Sequence, residues 1–169
     1  MRLSGKKALM IGAATGIGRA AAVQFVDNGA DIVIADINLP AAEETIASLA
    51  RSGRHASAVT CDVRDEASVR DAVSTAASQM GGIDTLVFFA GLQKLGHAEQ
   101  FAAADWDAVF DVNARGTFLA TKYAVPFIRR AGGGSVITTS SLAGLRGAPG
   151  MTGYAAAKGA VIAYTVALA

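Results

Sequence analysis

"KALMIGAATGIGRAAAVQFVDNGADIVIAD", residues 7–36, is the stretch whose reading decides the fold. It opens on an apolar run of strand length and passes through glycines at 12, 16 and 18. An alanine-rich segment of helical character follows, and after Gly29 a second apolar run ends on Asp36. Strand, glycine turn, helix and strand in that order make a βαβ unit. The same alternation continues outward through "PAAEETIASLARSG", "HASAVTCDV", "DEASVRDAVSTAASQMG" and "DTLVFFAG". A helix from about Asp105 to Arg130, the strand "GSVITTSS" and a terminal helix complete it. The strands are continuous apolar runs, as burial on both faces of a parallel sheet requires. The pattern predicts an α/β, doubly wound sheet with helices on both faces and ligands at the carboxyl ends of the strands, near the reversal of strand order. Pro40 in a first turn, Asp65 with Glu66 ahead of a helix, and Gly29, Gly53 and Gly81 after helix ends punctuate the helices accordingly. "AGGGS" at 131–135 reads as a tight helix-to-strand connection.

The 169 residues fit a single domain, 1–169. A net charge of +1 with 17% charged residues gives no asymmetry that would draw nucleic acid or an anionic membrane. An apolar fraction of 52% and mean hydropathy of +0.38 predict either a thoroughly buried sheet or an unusually apolar surface. No apolar run reaches the roughly 18–20 residues needed to span a bilayer, and the amino terminus runs into the glycine motif rather than a cleavage site. Cys61 is the single cysteine, so no internal disulfide forms, and a cytoplasmic location is the expectation. Cys61 itself reads as a small core residue. His55 and His97 lie in or near loops without a second ligand at metal spacing, so no metal is expected.

Glycines in "GAATGIG" allow a tight turn and let a pyrophosphate approach main-chain N–H groups at a helix amino end. Asp36 follows Gly18 by 18 residues, at the end of the second strand. A carboxylate there accepts from an adenosine ribose diol and repels a 2′-phosphate, so NAD is favoured over NADP. Asp62, ending the third strand, has two readings: a contact to an adenine amino group, or a cap for the helix that begins near Asp65.

Further along, Val109, Asn113, Gly116, Ala120 and Ala124 form one helical stripe, so Asn113 lies on an otherwise small, apolar face and needs partners there. "TTSS" puts Ser140 and Ser141 at the carboxyl edge of the sheet. Tyr154 and Lys158, four apart, are neighbours on one helical face, and an ammonium beside a phenol favours the phenolate. Tyr123, Tyr164, Trp106, Phe110, Phe118 and Phe127 read as packing residues.

Together these residues resemble the short-chain dehydrogenase/reductase family from about residue 3 to the last residue. The family's TGxxxGxG appears as "IGAATGIG", with Ile11 in place of threonine, and Asn113, Ser141, Tyr154 and Lys158 fall in the order and spacing of its catalytic tetrad. The resemblance implies hydride transfer between NAD(H) and a small-molecule alcohol or carbonyl. Tyr154 would be the general acid or base, Ser141 would orient the substrate oxygen, Lys158 would bind the nicotinamide ribose, and Asn113 would hold a water. The implied cofactor set is Gly12, Thr15, Gly16, Ile17, Gly18, Asp36, Asp62, Val63, Ala90, Gly91, Tyr154 and Lys158. Homo-oligomerisation through the Asn113 and Tyr154 helices is implied as well.

The chain departs from the family pattern at "FFAG", Phe88 to Gly91, where members commonly read NNAG. It also ends at Ala169, whereas family members continue with a further strand, a Pro-Gly segment, a substrate-covering loop and a last strand. The expectation is therefore a Rossmann-like domain that is incomplete at its carboxyl end, with the fifth strand lacking a neighbour and a last helix built for burial on more than one side. A chain that binds dinucleotide without turnover, or an interaction module, is the alternative.

Overall fold

The computed structural model describes residues 1–49 and 53–169. Five parallel strands form one sheet: β1 (Lys7–Ile11), β2 (Asp31–Asp36), β3 (Ala56–Thr60), β4 (Thr85–Phe88) and β5 (Ser135–Thr138), in the order β3-β2-β1-β4-β5. The helices between them are α1 (Gly16–Asp27), α2 (Leu39–Leu49), α3 (Glu66–Met80), α4 (Ala103–Phe110) and α5 (Gly116–Arg130). Beyond β5 come a short α6 (Leu142–Arg146) and α7 (Thr152–Leu168). This is the Rossmann-like α/β architecture the alternation predicts. The end of the helical segment before Gly53, residues 50–52, lies outside the described residues.

Successive side chains of a strand point to opposite faces, and in β1 both sets are apolar. Leu9 and Ile11 join Leu86 and Phe88 beneath α3 and α5, while Ala8 and Met10 join Ile32, Ile34 and Val87 beneath α1 and α2. Each such large side chain withdrawn from water contributes roughly 1.5–3 kcal/mol before chain entropy is counted. Burial on both faces holds for β1, β2 and β4. It does not hold for β3 and β5, because they are the edges: β3 is half-buried and β5 alternates, with Val136 turned to the core and Ile137 45% exposed. Among the described residues β5 has no neighbour on its outer side, as expected. On α7, Val161 is buried whereas Val166 is 74% exposed, so one side of this apolar helix is covered and another is open.

Three expectations need correction. The long helix before β5 starts at Ala103 rather than Asp105 and is interrupted by a π-helical turn, Asp111–Arg115, between α4 and α5. Asp65, not Asp62, caps α3: its carboxylate accepts from Ala67 N at 3.0 Å. Trp106 and Phe118 are not core residues. Trp106 stacks on Phe110 at 4.8 Å between centroids, Phe118 meets Tyr164 edge-on, and both remain exposed. Among the described residues no helix is long and apolar enough to cross a membrane, and no group of His, Cys, Asp and Glu is arranged to hold a metal.

The 131–135 connection is as tight as its glycines suggest. A Cβ on Gly134 would stand 1.8 Å from Asp84 O, the same carbonyl that accepts from Ser135 N at 2.9 Å to start the β4–β5 pairing. Gly134→Ala must therefore displace backbone at the sheet edge. Urea denaturation of this variant is expected to show a loss of about 2–4 kcal/mol; a loss below about 0.5 kcal/mol would contradict the packing described.

Candidate active site

Strand order reverses between β1 and β4, and a crevice of about 560 Å³ opens at their carboxyl ends. Its floor is the glycine turn. Gly12 has φ +77°, and a Cβ there would lie 2.3 Å from Ala90 N. That absent side chain lets Ile11 O accept from both Phe89 N, at 2.7 Å, and Ala90 N, at 3.1 Å. Ala13 similarly fills the space a Gly18 Cβ would need, at 2.6 Å. Thr15 precedes α1 without a side-chain cap bond, and the first turn of α1 carries no acidic residue. Its amino-terminal N–H groups are thus available to an anion.

Two side chains hold this turn in place. Asp36 accepts from Ala14 N and from Asn38 N, each at 3.0 Å, and the buried Thr45 hydroxyl donates to Ala14 O at 2.9 Å. Arg19, the first cation after the glycine turn in the sequence, faces Glu44 at 3.9 Å. Farther along the crevice, the Arg64 guanidinium hydrogen-bonds Asp62 and holds its carboxyl below the usual carboxylate range. Cys61 beneath them is buried, and desolvation followed by repulsion from Asp62, Asp36 and Asp65 pushes its thiol up to about 12. It lines the crevice as a neutral, apolar group, so its reading as a small core residue is only part of its place.

Gly12, Thr15, Ile17, Gly18, Asp36, Asp62, Val63, Ala90 and Gly91 all line the crevice, together with Phe89 of "FFAG" and with Arg64 and Thr139, which the motifs did not single out. Gly16 lies in the turn at φ +56° but not on the crevice wall. At "FFAG", the first aromatic, Phe88, is core and the second, Phe89, occupies part of the crevice wall.

Asn113, Lys158 and Tyr154 lie beyond Gly91 and Thr139. Asn113 is fully buried in the π-helical turn, and its Nδ2 donates to Val109 O at 2.8 Å and to Leu92 O at 2.7 Å. The widened turn lets one amide serve the helix and the loop after β4 together. Its Oδ1 is buried and has no protein partner. A Cβ on Gly91 would contact this oxygen at 3.3 Å and Lys158 Nζ at 3.7 Å, so the two polar atoms face one small space.

Lys158 is 3% exposed, and its Nζ donates to Thr139 O at 2.7 Å. Burial lowers its pKa. Nζ also lies 5.7 Å from the centroid of the Tyr154 ring, so the one-face reading of this pair holds. Ser141 caps α6, its Oγ accepting from Ala143 N at 3.2 Å. α6 packs directly on α7: a Cβ on Gly144 would meet Lys158 C at 2.7 Å, and Ser140 Oγ donates to Lys158 O at 2.8 Å. The start of α7 is latched to the loop after β4 by Gly96 N donating to Gly150 O at 2.8 Å and Thr152 Oγ1 donating to Gly96 O at 3.1 Å.

The chain matches the short chain dehydrogenase family model over residues 6–169. It belongs to the short-chain dehydrogenase/reductase family. Members of this oxidoreductase family bind nicotinamide dinucleotides. The chain is 38% identical over 160 residues to the 2,5-dichloro-2,5-cyclohexadiene-1,4-diol dehydrogenase LinX of Sphingobium indicum, covering 95% of its own length and 64% of the relative's. It is 37% identical over 168 residues to D-threitol dehydrogenase of Mycolicibacterium smegmatis, covering 99% and 65%. Among solved structures, NAD+-bound xylitol dehydrogenase superposes with a TM-score of 0.97 at 31% identity, covering 100% of this chain and 65% of that one. The chain thus spans a little under two thirds of the length of these relatives.

Lys158 gives a stability test. Because burial depresses its folded pKa below 10.5, the unfolded chain holds more protons in the window between the two values. The destabilising effect is full below the depressed value and fades as pH rises through it toward 10.5. Lys158→Met is expected to gain about 1–3 kcal/mol in urea denaturation at pH 7, with the gain shrinking toward pH 10. A less stable variant, or a pH-independent gain, would contradict this.

Proposed function

We propose that this short-chain dehydrogenase is an NAD-preferring oxidoreductase acting on a small alcohol or its carbonyl counterpart, with residues 1–169 forming one dinucleotide-binding domain. One observation carries the reading. A single crevice runs from an anchored carboxylate, Asp36, past a glycine turn at a helix amino end, to Thr139, whose carbonyl holds the Lys158 ammonium beside Tyr154.

The residues present suit a dinucleotide. Glycines whose Cβ atoms would collide with the turn make room for close approach of a pyrophosphate, and the α1 N–H groups accept its charge. Asp36 takes the adenosine ribose diol on the lone pairs not used by Ala14 N and Asn38 N, and its charge opposes a 2′-phosphate. Arg19, already facing Glu44, does little to offset that. The nicotinamide, when bound, supplies the hydride acceptor or donor.

Tyr154 gives a proton to the substrate oxygen in reduction and takes it in oxidation. Lys158 favours the phenolate electrostatically, and the ammonium donors not used by Thr139 O would hold the ribose hydroxyls. Ser141 presents its hydroxyl to the same substrate oxygen. Asn113, whose Oδ1 has no protein partner, orders a water beside Lys158 through which the proton passes to solvent. The D-threitol and xylitol dehydrogenases point to a hydroxylated substrate such as a diol or polyol.

Fluorescence titration is expected to give an NADH Kd at least about 10-fold below that for NADPH, with Asp36→Ala bringing the two within about threefold. NADPH bound as tightly as NADH by the unaltered chain would refute the preference. Tyr154→Phe is expected to lower alcohol-dependent NADH production at least about 100-fold while the NADH Kd stays within about threefold. Unchanged turnover would remove Tyr154 from the reaction.

A further inference from the structure

The crevice beyond Asp36 is walled by an ion pair whose geometry sets what part of a purine it can read, given the dinucleotide reading on which this inference rests. Asp62 Oδ1 accepts from Arg64 N at 3.0 Å and from Arg64 Nε at 2.9 Å, and Oδ2 accepts from Nε at 3.2 Å and from Nη2 at 2.7 Å. A carboxylate offers about four acceptor positions. Arg64 alone occupies most of them.

The pair is braced rather than incidental. Asp62 N donates to Ser68 Oγ at 3.0 Å, and Arg115 Nη1 donates to Arg64 O at 2.5 Å, tying the loop to the π-helical turn that carries Asn113. Both side chains line the crevice at its rim, with 30% of the Asp62 and 53% of the Arg64 side chain exposed. The bonds to Asp62 use Nε and Nη2, which leaves Nη1 of Arg64 outside the pair.

We propose that Asp62 and Arg64 act as one unit at the purine edge, and that this unit accepts a 6-oxo purine about as readily as a 6-amino purine. A free carboxylate would discriminate strongly. The 6-amino group of adenine is a donor that a carboxylate welcomes, whereas the 6-oxo group of hypoxanthine is an acceptor that it repels. An ion pair presents both an acceptor oxygen and guanidinium N–H donors, so either edge finds a partner. Arg64 is the specificity-determining residue: it masks the carboxylate and supplies the donor that a 6-oxo group needs. An exposed pair of this kind is worth at most about fivefold in an equilibrium, so removing Arg64 leaves the fold intact while freeing Asp62.

The test is a pair of fluorescence titrations, with NADH and with reduced nicotinamide hypoxanthine dinucleotide, on the unaltered chain, Arg64→Met and Arg64→Lys. The unaltered chain is expected to bind the two within about threefold. In R64M the preference for NADH is expected to rise to at least about 10-fold, in line with one mismatched hydrogen bond, and R64K, with a single donor point, falls between. A preference already above about 10-fold in the unaltered chain, or a ratio unchanged within about twofold in a folded R64M that still binds NADH, overturns the role of Arg64. Failure of the unaltered chain to bind either dinucleotide overturns instead the cofactor reading beneath it, and a thermal melt of R64M separates misfolding from either result.

Discussion

The close approach of Gly12 to Ala90 is the constraint on which the rest of the site depends. Here the ends of β1 and β4, adjacent strands on which the chain's winding reverses, come so near that a Cβ would sit 2.3 Å from a backbone nitrogen. Because no side chain intervenes, Ile11 O takes two N–H groups from the start of the loop after β4, and that loop leaves the sheet in a set direction. Gly91 is carried to Asn113 and Lys158, and Leu92 O to the Asn113 amide. One tight contact at the sheet edge thus positions both the glycine turn and the polar cluster beyond it.

That cluster runs against stability. Lys158 is almost fully buried with one protein hydrogen bond, and Asn113 Oδ1 has none. Buried polar groups left short of partners destabilise a fold and are retained where they serve a ligand. The surrounding scaffold offsets them: Ser140 and Gly144 bring α6 onto the backbone of Lys158, Thr139 Oγ1 donates to Phe88 O at 2.7 Å, and the Gly96–Gly150 latch fixes the start of α7. The same logic reaches the other end of the crevice, where Arg115 in the turn next to Asn113 braces the loop that carries Asp62.

Local pattern made most of the fold legible. Apolar runs separated by helical segments give the strands, and the glycine turn with Asp36 marks the βαβ unit. What escaped the pattern depends on neighbours distant in the chain. β3 looks like a central strand until the sheet order makes it an edge. The π-helical turn accompanies the bond from Asn113 to Leu92 O, a partner 21 residues away, and Trp106 and Phe118 have helical spacing but are only partly covered, by Phe110 and by Tyr164 of α7. In the site, residue type marked Tyr154, Lys158 and Asn113. Thr139 and Ser140 stood in the run "TTSS", but their roles needed the carbonyl and helix they touch. Arg64 needed the geometry of its pair with Asp62.

The most direct test of this account is an amide NMR map of the chain titrated with NAD+. Gly12 to Gly18, Asp36, Val63, Ala90 and Gly91 should shift together and saturably, while Gly81, Gly82 and Ala131, at the opposite end of the sheet, stay still. No saturable shift, or shifts centred away from the β1–β4 crevice, would contradict the claim that this crevice is built for a dinucleotide.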